Sequence, residues 1–201
     1  MSWVKPPGPV HDGLRIGLLG GSFDPAHDGH LYVSQVARRA LKLDQVWWLL
    51  SPGNVLKPEP EPFDVRMARA RLVARLPFIR VTGIEAQMGT RYTIDTVRAL
   101  QARFPRVHFV WLMGSDNLVQ FSRWRRWQDI AATIPIAVVR RPASVLAPLS
   151  AALARRIGVS RNQGSAPSLV VLDGRRNEQS STLLRARGLG ANAGAVLNLT
   201  A

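Results

Sequence analysis

The chain has 201 residues, 46% of them hydrophobic and 20% charged, which suits one globular domain with a substantial core and excludes disordered or fibrous classes. It has no cysteine, so disulfides, a thiolate nucleophile and thiolate metal sites are excluded, leaving histidine and carboxylates as the strong metal ligands. Lysine and arginine number 27 against 13 acidic residues, a formal charge of +14, which raises a polyanionic partner, nucleic acid or phosphorylated small molecules, although the scattered arginines read first as solvated helix faces.

Residues 1–13, rich in proline and glycine, are expected to form a flexible leader ahead of a single domain over 14–187, with 188–201 as a tail. The leader lacks the hydrophobic middle of a secretory signal, and no apolar run reaches the ~18 residues that cross a bilayer; the expectation is a cytoplasmic protein. Residues 14–19 (LRIGLL), stopped by Gly20 and Gly21, read as a buried parallel strand. The spacing of Val33, Val36, Ala37, Ala40 and Leu41 predicts a helix over 30–43. A second strand follows at 45–51 (QVWWLLS), then a proline-rich loop over 52–63. Asp64 is the expected N-cap of a helix that turns Val65, Ala68, Leu72 and Leu76 inward. A third strand is expected at 78–82, and Thr93 as the cap of a helix with Ile94, Val97, Leu100 and Phe104 on one side. Further strands are expected at 107–113, 134–139 and 168–172, with a helix and then a turn at 162–165 inside the alanine- and serine-rich stretch 143–167.

This alternation predicts an α/β fold, a Rossmann-like, mostly parallel, doubly wound sheet with helices on both faces. Ligands of such sheets bind beyond the carboxyl ends of the strands, so the loops after strands one, two, four and six are expected to form one rim.

Gly20 and Gly21 lie on that rim, where glycine permits unusual torsions and close approach of a phosphate to backbone amides. A plain tight turn explains a glycine pair equally well. His27 and His30 stand one turn apart at the mouth of the next helix, where amides and helix dipole favour an anion. His11 and His108 read as ordinary satisfied side chains. A metal reading of Asp24, His27 and His30 is not supported by any further ligand cluster. Near the other end, Ser180, Ser181 and Thr182 offer hydroxyls and amides at a helix start, with Arg185 one turn in as a planar fork for phosphate oxygens; an ordinary N-cap is the plain alternative. Trp124 could stack on a flat heterocycle, and Asp116 could accept hydrogen bonds from ribose hydroxyls or order a loop. Tryptophans at this spacing also serve as core, and Trp124 and Trp127 among Arg123, Arg125 and Arg126 could stack RNA bases.

The segment GGSFDPAHDGH (20–30) resembles the GG[TS]FDPxHxGH signature of the nucleotidylyltransferase superfamily, and QSSTLLR (179–185) resembles its [IV]SST-x-[IL]R element. Three further stretches are similar to elements of the nicotinate-nucleotide adenylyltransferase family within it: WWLLSPGNVLKP (47–58), GTRYTIDTVRAL (89–100) and FVWLMGSDNLVQFSRWRRWQDI (109–130), the last through Gly114, Asp116, Leu118, Phe121, Trp124 and Trp127. The resemblance implies catalytic roles for His27, His30, Lys57 and Arg185. It implies ATP contacts from Gly20, Gly21, Ser22, Phe23, His27, His30, Gly114, Asp116, Ser180, Ser181, Thr182 and Arg185. It implies contacts to nicotinate mononucleotide from Asn54, Lys57, Tyr92, Thr93, Asp116 and Trp124. The implied cofactor is Mg²⁺ carried by ATP, with no metal site of the protein's own; the implied partners are the two nucleotides, with no membrane, and self-association is left open. Another phosphate acceptor, such as nicotinamide mononucleotide or phosphopantetheine, is the alternative within the superfamily, and a basic nucleic-acid binder the alternative outside it.

Overall fold

Strands whose residues are apolar on both faces can only be stable inside a covered sheet, and that is how this chain uses them. The computed structural model describes residues 4–53, 61–140 and 166–173. Its strands are β1 (Arg15–Gly21), β2 (Gln45–Leu50), β3 (Ile79–Thr82), β4 (His108–Gly114), β5 (Ile136–Val139) and β6 (Leu169–Leu172). They form one sheet in the order β3-β2-β1-β4-β5-β6, with every neighbouring pair parallel. This is the doubly wound order of dinucleotide-binding sheets, in which the winding reverses between β1 and β4 and a crevice opens at their carboxyl ends. The expected fold class is the one observed, with strand ends shifted by one or two residues.

Successive residues of each strand feed opposite cores. Ile16, Leu18, Trp47, Leu49, Trp111 and Met113 enter one cluster, covered by α3 (Ile84–Met88), α4 (Thr93–Arg103), α5 (Ser115–Phe121) and α6 (Trp127–Thr133). Leu19, Val46, Trp48, Leu50, Val110 and Leu112 enter the other, covered by α1 (Asp28–Leu41) and α2 (Phe63–Val73). Among the described residues no helix is long and apolar enough to cross a membrane. Residues 4–13 form neither helix nor strand, yet Val4 is buried in the first core. The expected helix and turn over 143–165 and the tail 188–201 lie outside the described residues.

Several expectations are corrected. In α1, Val33, Ala37 and Leu41 are buried as expected, but Ala40 is exposed. The cap of α4 is Tyr92, with Thr93 its first helical residue. The short helices α3, α5 and α6 were not expected at all; runs of five to seven residues carry too little periodicity to read.

The largest correction is α2. It is capped at Pro62, without a side-chain bond, and starts at Phe63. Val65 and Ala68 are exposed, and Leu72 is 78% exposed; the face turned inward is Phe63, Arg66, Met67 and Ala70. Leaving Leu72 in water forgoes about 1.5–3 kcal/mol. Met67 and Ala70 go into the core instead, and Phe63 fills the space above Gly83, where a Cβ would stand 2.7 Å from its ring.

Candidate active site

The loop 20–27 leaves β1 at the crevice and enters α1. Gly20 and Gly21 keep ordinary negative-φ backbone, so the torsional freedom expected of them is not what they supply. Gly20 is required by packing: a Cβ there would stand 2.6 Å from the Trp111 ring. At Gly21 a Cβ would only reach ordinary contact with Phe23, 3.6 Å away, so packing does not demand glycine there. Phe23 adopts left-handed backbone, φ 48°, an uncommon conformation for a bulky residue. Its ring is buried, stacked on Trp48 at 5.1 Å and against His30 at 4.6 Å. Phe23 thus floors the histidines from the core side. The Asp24–Pro25 peptide is cis.

His27 is the N-cap of α1, and the two imidazoles build a capping box together. Nδ1 of His27 accepts from the Gly29 N–H at 3.0 Å, and Nδ1 of His30 accepts from the His27 N–H at 3.2 Å. Because an N–H can only donate, each Nδ1 is an acceptor, and in the neutral rings the proton sits on Nε2. The ring centroids are 4.0 Å apart. Behind them Trp48 Nε1 donates to Ser34 Oγ at 2.9 Å, and Ser34 Oγ donates to the His30 carbonyl at 2.8 Å, locking the first turn. His27 is buried and His30 half-buried. The result is two oriented Nε2–H donors beside the amides at the start of a fourteen-residue helix, an arrangement suited to phosphate.

Across the crevice, β1 and β4 end side by side: Leu19 pairs with Leu112, and Gly21 and Gly114 follow two places on. Gly114 caps α5, whose first turn carries the half-buried Asp116.

Tyr92 and Thr93 begin α4 and are half-buried, with the Arg125 guanidinium 4.4 Å above the Tyr92 ring. Trp124 packs edge-on to Trp111 at 6.0 Å and to Phe121 at 5.4 Å. Trp124 and Trp127 are only half-buried, partly core and partly available surface.

Two further residues were not singled out from the sequence. Arg66 is 1% exposed, and burial draws its guanidinium below the usual arginine range against the pull of Asp24 and Glu61. The sequence signal was its place on the Phe63, Met67, Ala70 stripe. Glu85, in α3, is buried beneath the Tyr92 loop. Burial pushes its carboxyl up to about 7, opposed by a hydrogen bond from Thr96. Thr96 Oγ1 lies 3.0 Å from Glu85 Oε1 and 2.9 Å from Thr90 Oγ1, while the Thr90 N–H donates to the Glu85 carbonyl at 3.0 Å. Nothing in the sequence pattern marks Glu85 as buried.

The structure therefore brings together Gly20, Gly21, Ser22, Phe23, His27, His30, Gly114 and Asp116 around the β1–β4 crevice. Tyr92, Thr93 and Trp124 lie on the face covered by α4–α6. Asn54, Lys57, Ser180, Ser181, Thr182 and Arg185 lie outside the described residues.

Residues 18–187 match the Cytidylyltransferase-like family. A probable nicotinate-nucleotide adenylyltransferase of Parvibaculum lavamentivorans is 50% identical over 188 residues, covering 88% of this chain and 93% of the relative. The chain belongs to the nicotinate-nucleotide adenylyltransferase family. It is thereby a nucleotidyltransferase. Another relative of that name, from Methylorubrum extorquens, is 49% identical over 185 residues, covering 87% of this chain and all of the relative. The fold is also that of Plasmodium falciparum nicotinic acid mononucleotide adenylyltransferase complexed with NaAD, at TM-score 0.70 and 15% identity, covering 86% of this chain and 83% of that one.

Proposed function

We propose that the chain transfers AMP from ATP to nicotinate mononucleotide, giving deamido-NAD and pyrophosphate for NAD biosynthesis in the cytoplasm. The observation that carries this reading is the imidazole capping box at the β1–β4 switch point, two oriented Nε2–H donors at a helix start.

A phosphate oxygen of the mononucleotide bonds to the α-phosphorus of ATP as the bond from that phosphorus to the β-bridging oxygen breaks, and pyrophosphate leaves. The nucleophile is already an anion near neutral pH, so no proton has to move. What the protein must supply is alignment of two polyanions and stabilisation of charge on the transferring group. In this reading His27 and His30 donate from Nε2 to phosphate oxygens, and the loop at Gly21 with the amides at the start of α1 receives the triphosphate. Gly114 and Asp116 border the ribose, and Tyr92, Thr93 and Trp124 the pyridine. Lys57, Arg185, Asn54, Ser180, Ser181 and Thr182 complete the grip by motif position.

A divalent ion, taken to be Mg²⁺, neutralises phosphate oxygens when bound with ATP. Among the described residues no three histidine or acidic side chains gather as a metal cage.

The test is pyrophosphate release from Mg·ATP with each pyridine mononucleotide in turn. Turnover with nicotinate mononucleotide, and a lower kcat/KM with the nicotinamide form, is expected. No release with either would overturn the reading.

A further inference from the structure

The last backbone bond between β1 and β2 runs from the Ser51 N–H to the Gly21 carbonyl at 3.0 Å. One residue further out, the guanidinium of Arg66 takes over. Its Nη1 donates to the Ser22 carbonyl at 2.7 Å and to the Ser51 carbonyl at 3.0 Å. Its Nη2 donates to the Pro52 carbonyl at 3.3 Å and its Nε to the Glu61 carbonyl at 2.8 Å. A single planar fork therefore spans three separate stretches: the loop that leads to His27, the exit of β2, and the approach to α2. Burying a guanidinium is costly unless its donors are satisfied, and here four carbonyls meet it while Phe63 lies 5.5 Å beneath. An apolar side chain at this place would leave these carbonyls without their donor, so the guanidinium, and not space filling, is what joins the three stretches.

We propose that Arg66 is a positioning residue, which rigidly couples the β1 loop to the β2 exit so that the groups on the two loops are held at a fixed separation when both nucleotides are bound. This rests on the adenylyltransfer reading above for its kinetic consequence, though not for the coupling itself. Lysine keeps the charge but lacks the planar fork and can hold only part of the carbonyl set. The coupling account and a purely electrostatic one therefore part at Arg66→Lys.

Two measurements decide it. In the parent, native-state hydrogen exchange of the Ser22, Phe23, Ser51 and Gly53 amides should report one common opening. In Arg66→Lys and Arg66→Gln the two loops should open separately, with exchange at least tenfold faster, while amides of β4 and β5 are unchanged. Kinetically, kcat per folded enzyme should fall at least tenfold in both variants, with the Kd for ATP alone within about threefold of the parent. A merely structural role would reduce the folded fraction without changing kcat per folded molecule. Independent openings in the parent, unchanged loop exchange in Arg66→Lys, or parent kcat despite faster exchange would each overturn the proposal. A parent that releases no pyrophosphate would sink the reaction assignment instead, and the exchange data would still judge the coupling, even if a variant does not fold.

Discussion

His27 and His30 take their capping bonds from backbone amides within three residues of themselves, whereas Tyr92 is held by side chains, those of Glu85 and Thr96 close in the chain and that of Arg125 from a distant segment. Glu85 and Thr96 hold the loop beneath it, and Arg125 covers its ring. The capping bonds of the first region are local, although Trp48 and Arg66 tie its loop to other elements. The second depends on a buried carboxyl and an exposed cation, groups that respond to pH and substitution. The contrast separates a side held by backbone caps, which we propose takes the phosphates, from one held by titratable and charged side chains, which we propose faces the acceptor.

The sharpest way to break this contrast is His30→Ala. Losing one oriented donor should cost about 3 kcal/mol of barrier, roughly a hundredfold in kcat/KM, with the thermal transition lowered by only a few degrees, on the scale of one lost capping bond of about 1 kcal/mol. Steady-state pyrophosphate release alongside circular dichroism would check it, and parent-like turnover would break the assignment of the phosphate side. Tyr92→Ala comes next: the KM for the mononucleotide should rise about tenfold, on the scale of one lost aromatic contact, with the KM for ATP within twofold. An equal rise in both would erase the division between the two regions.

Glu85→Gln probes the pH response. The folded carboxyl stands near 7, above its ordinary value of 4.5, so the neutral form is the one the fold prefers. The stability it contributes is complete below about pH 4.5 and is lost as pH rises through about 7. The variant, neutral throughout, should therefore be more stable than the parent at pH 8 by on the order of 2 kcal/mol, with the gap closing toward pH 5. Urea unfolding at both pH values measures it; a constant gap would remove Glu85 from the account. The smallest effect is expected for Arg125→Gln. Its cation–π contact is worth about 0.5–1 kcal/mol at an exposed site, so the KM for the mononucleotide should rise only about two- to fivefold at unchanged Tm.

Much of the fold was legible because it follows from periodicity. Short apolar runs such as 45–50, bounded by turn residues, suit strands buried on both faces, and their alternation with helices implies a parallel sheet. The spacing of His27 and His30 likewise fixes them one turn apart whatever surrounds them. What could not be read was how the two rings use their nitrogens, since Nδ1 as acceptor emerges only once the helix start is built. Gly20 was read for torsional freedom, yet its reason is Trp111, ninety-one positions away in sequence and adjacent across the sheet.

The amino-acid order by itself determined the parallel α/β sheet, the glycine–histidine loop and the family, because these rest on local periodicity and a contiguous motif. Only the tertiary structure decided which face of α2 turns inward. Two apolar stripes of the same period compete there, and the winner is the one whose Phe63 meets the bare backbone of Gly83 and whose Arg66 meets four carbonyls. Helical period is a property of the backbone, but the choice of a buried face depends on what distant segments present to it.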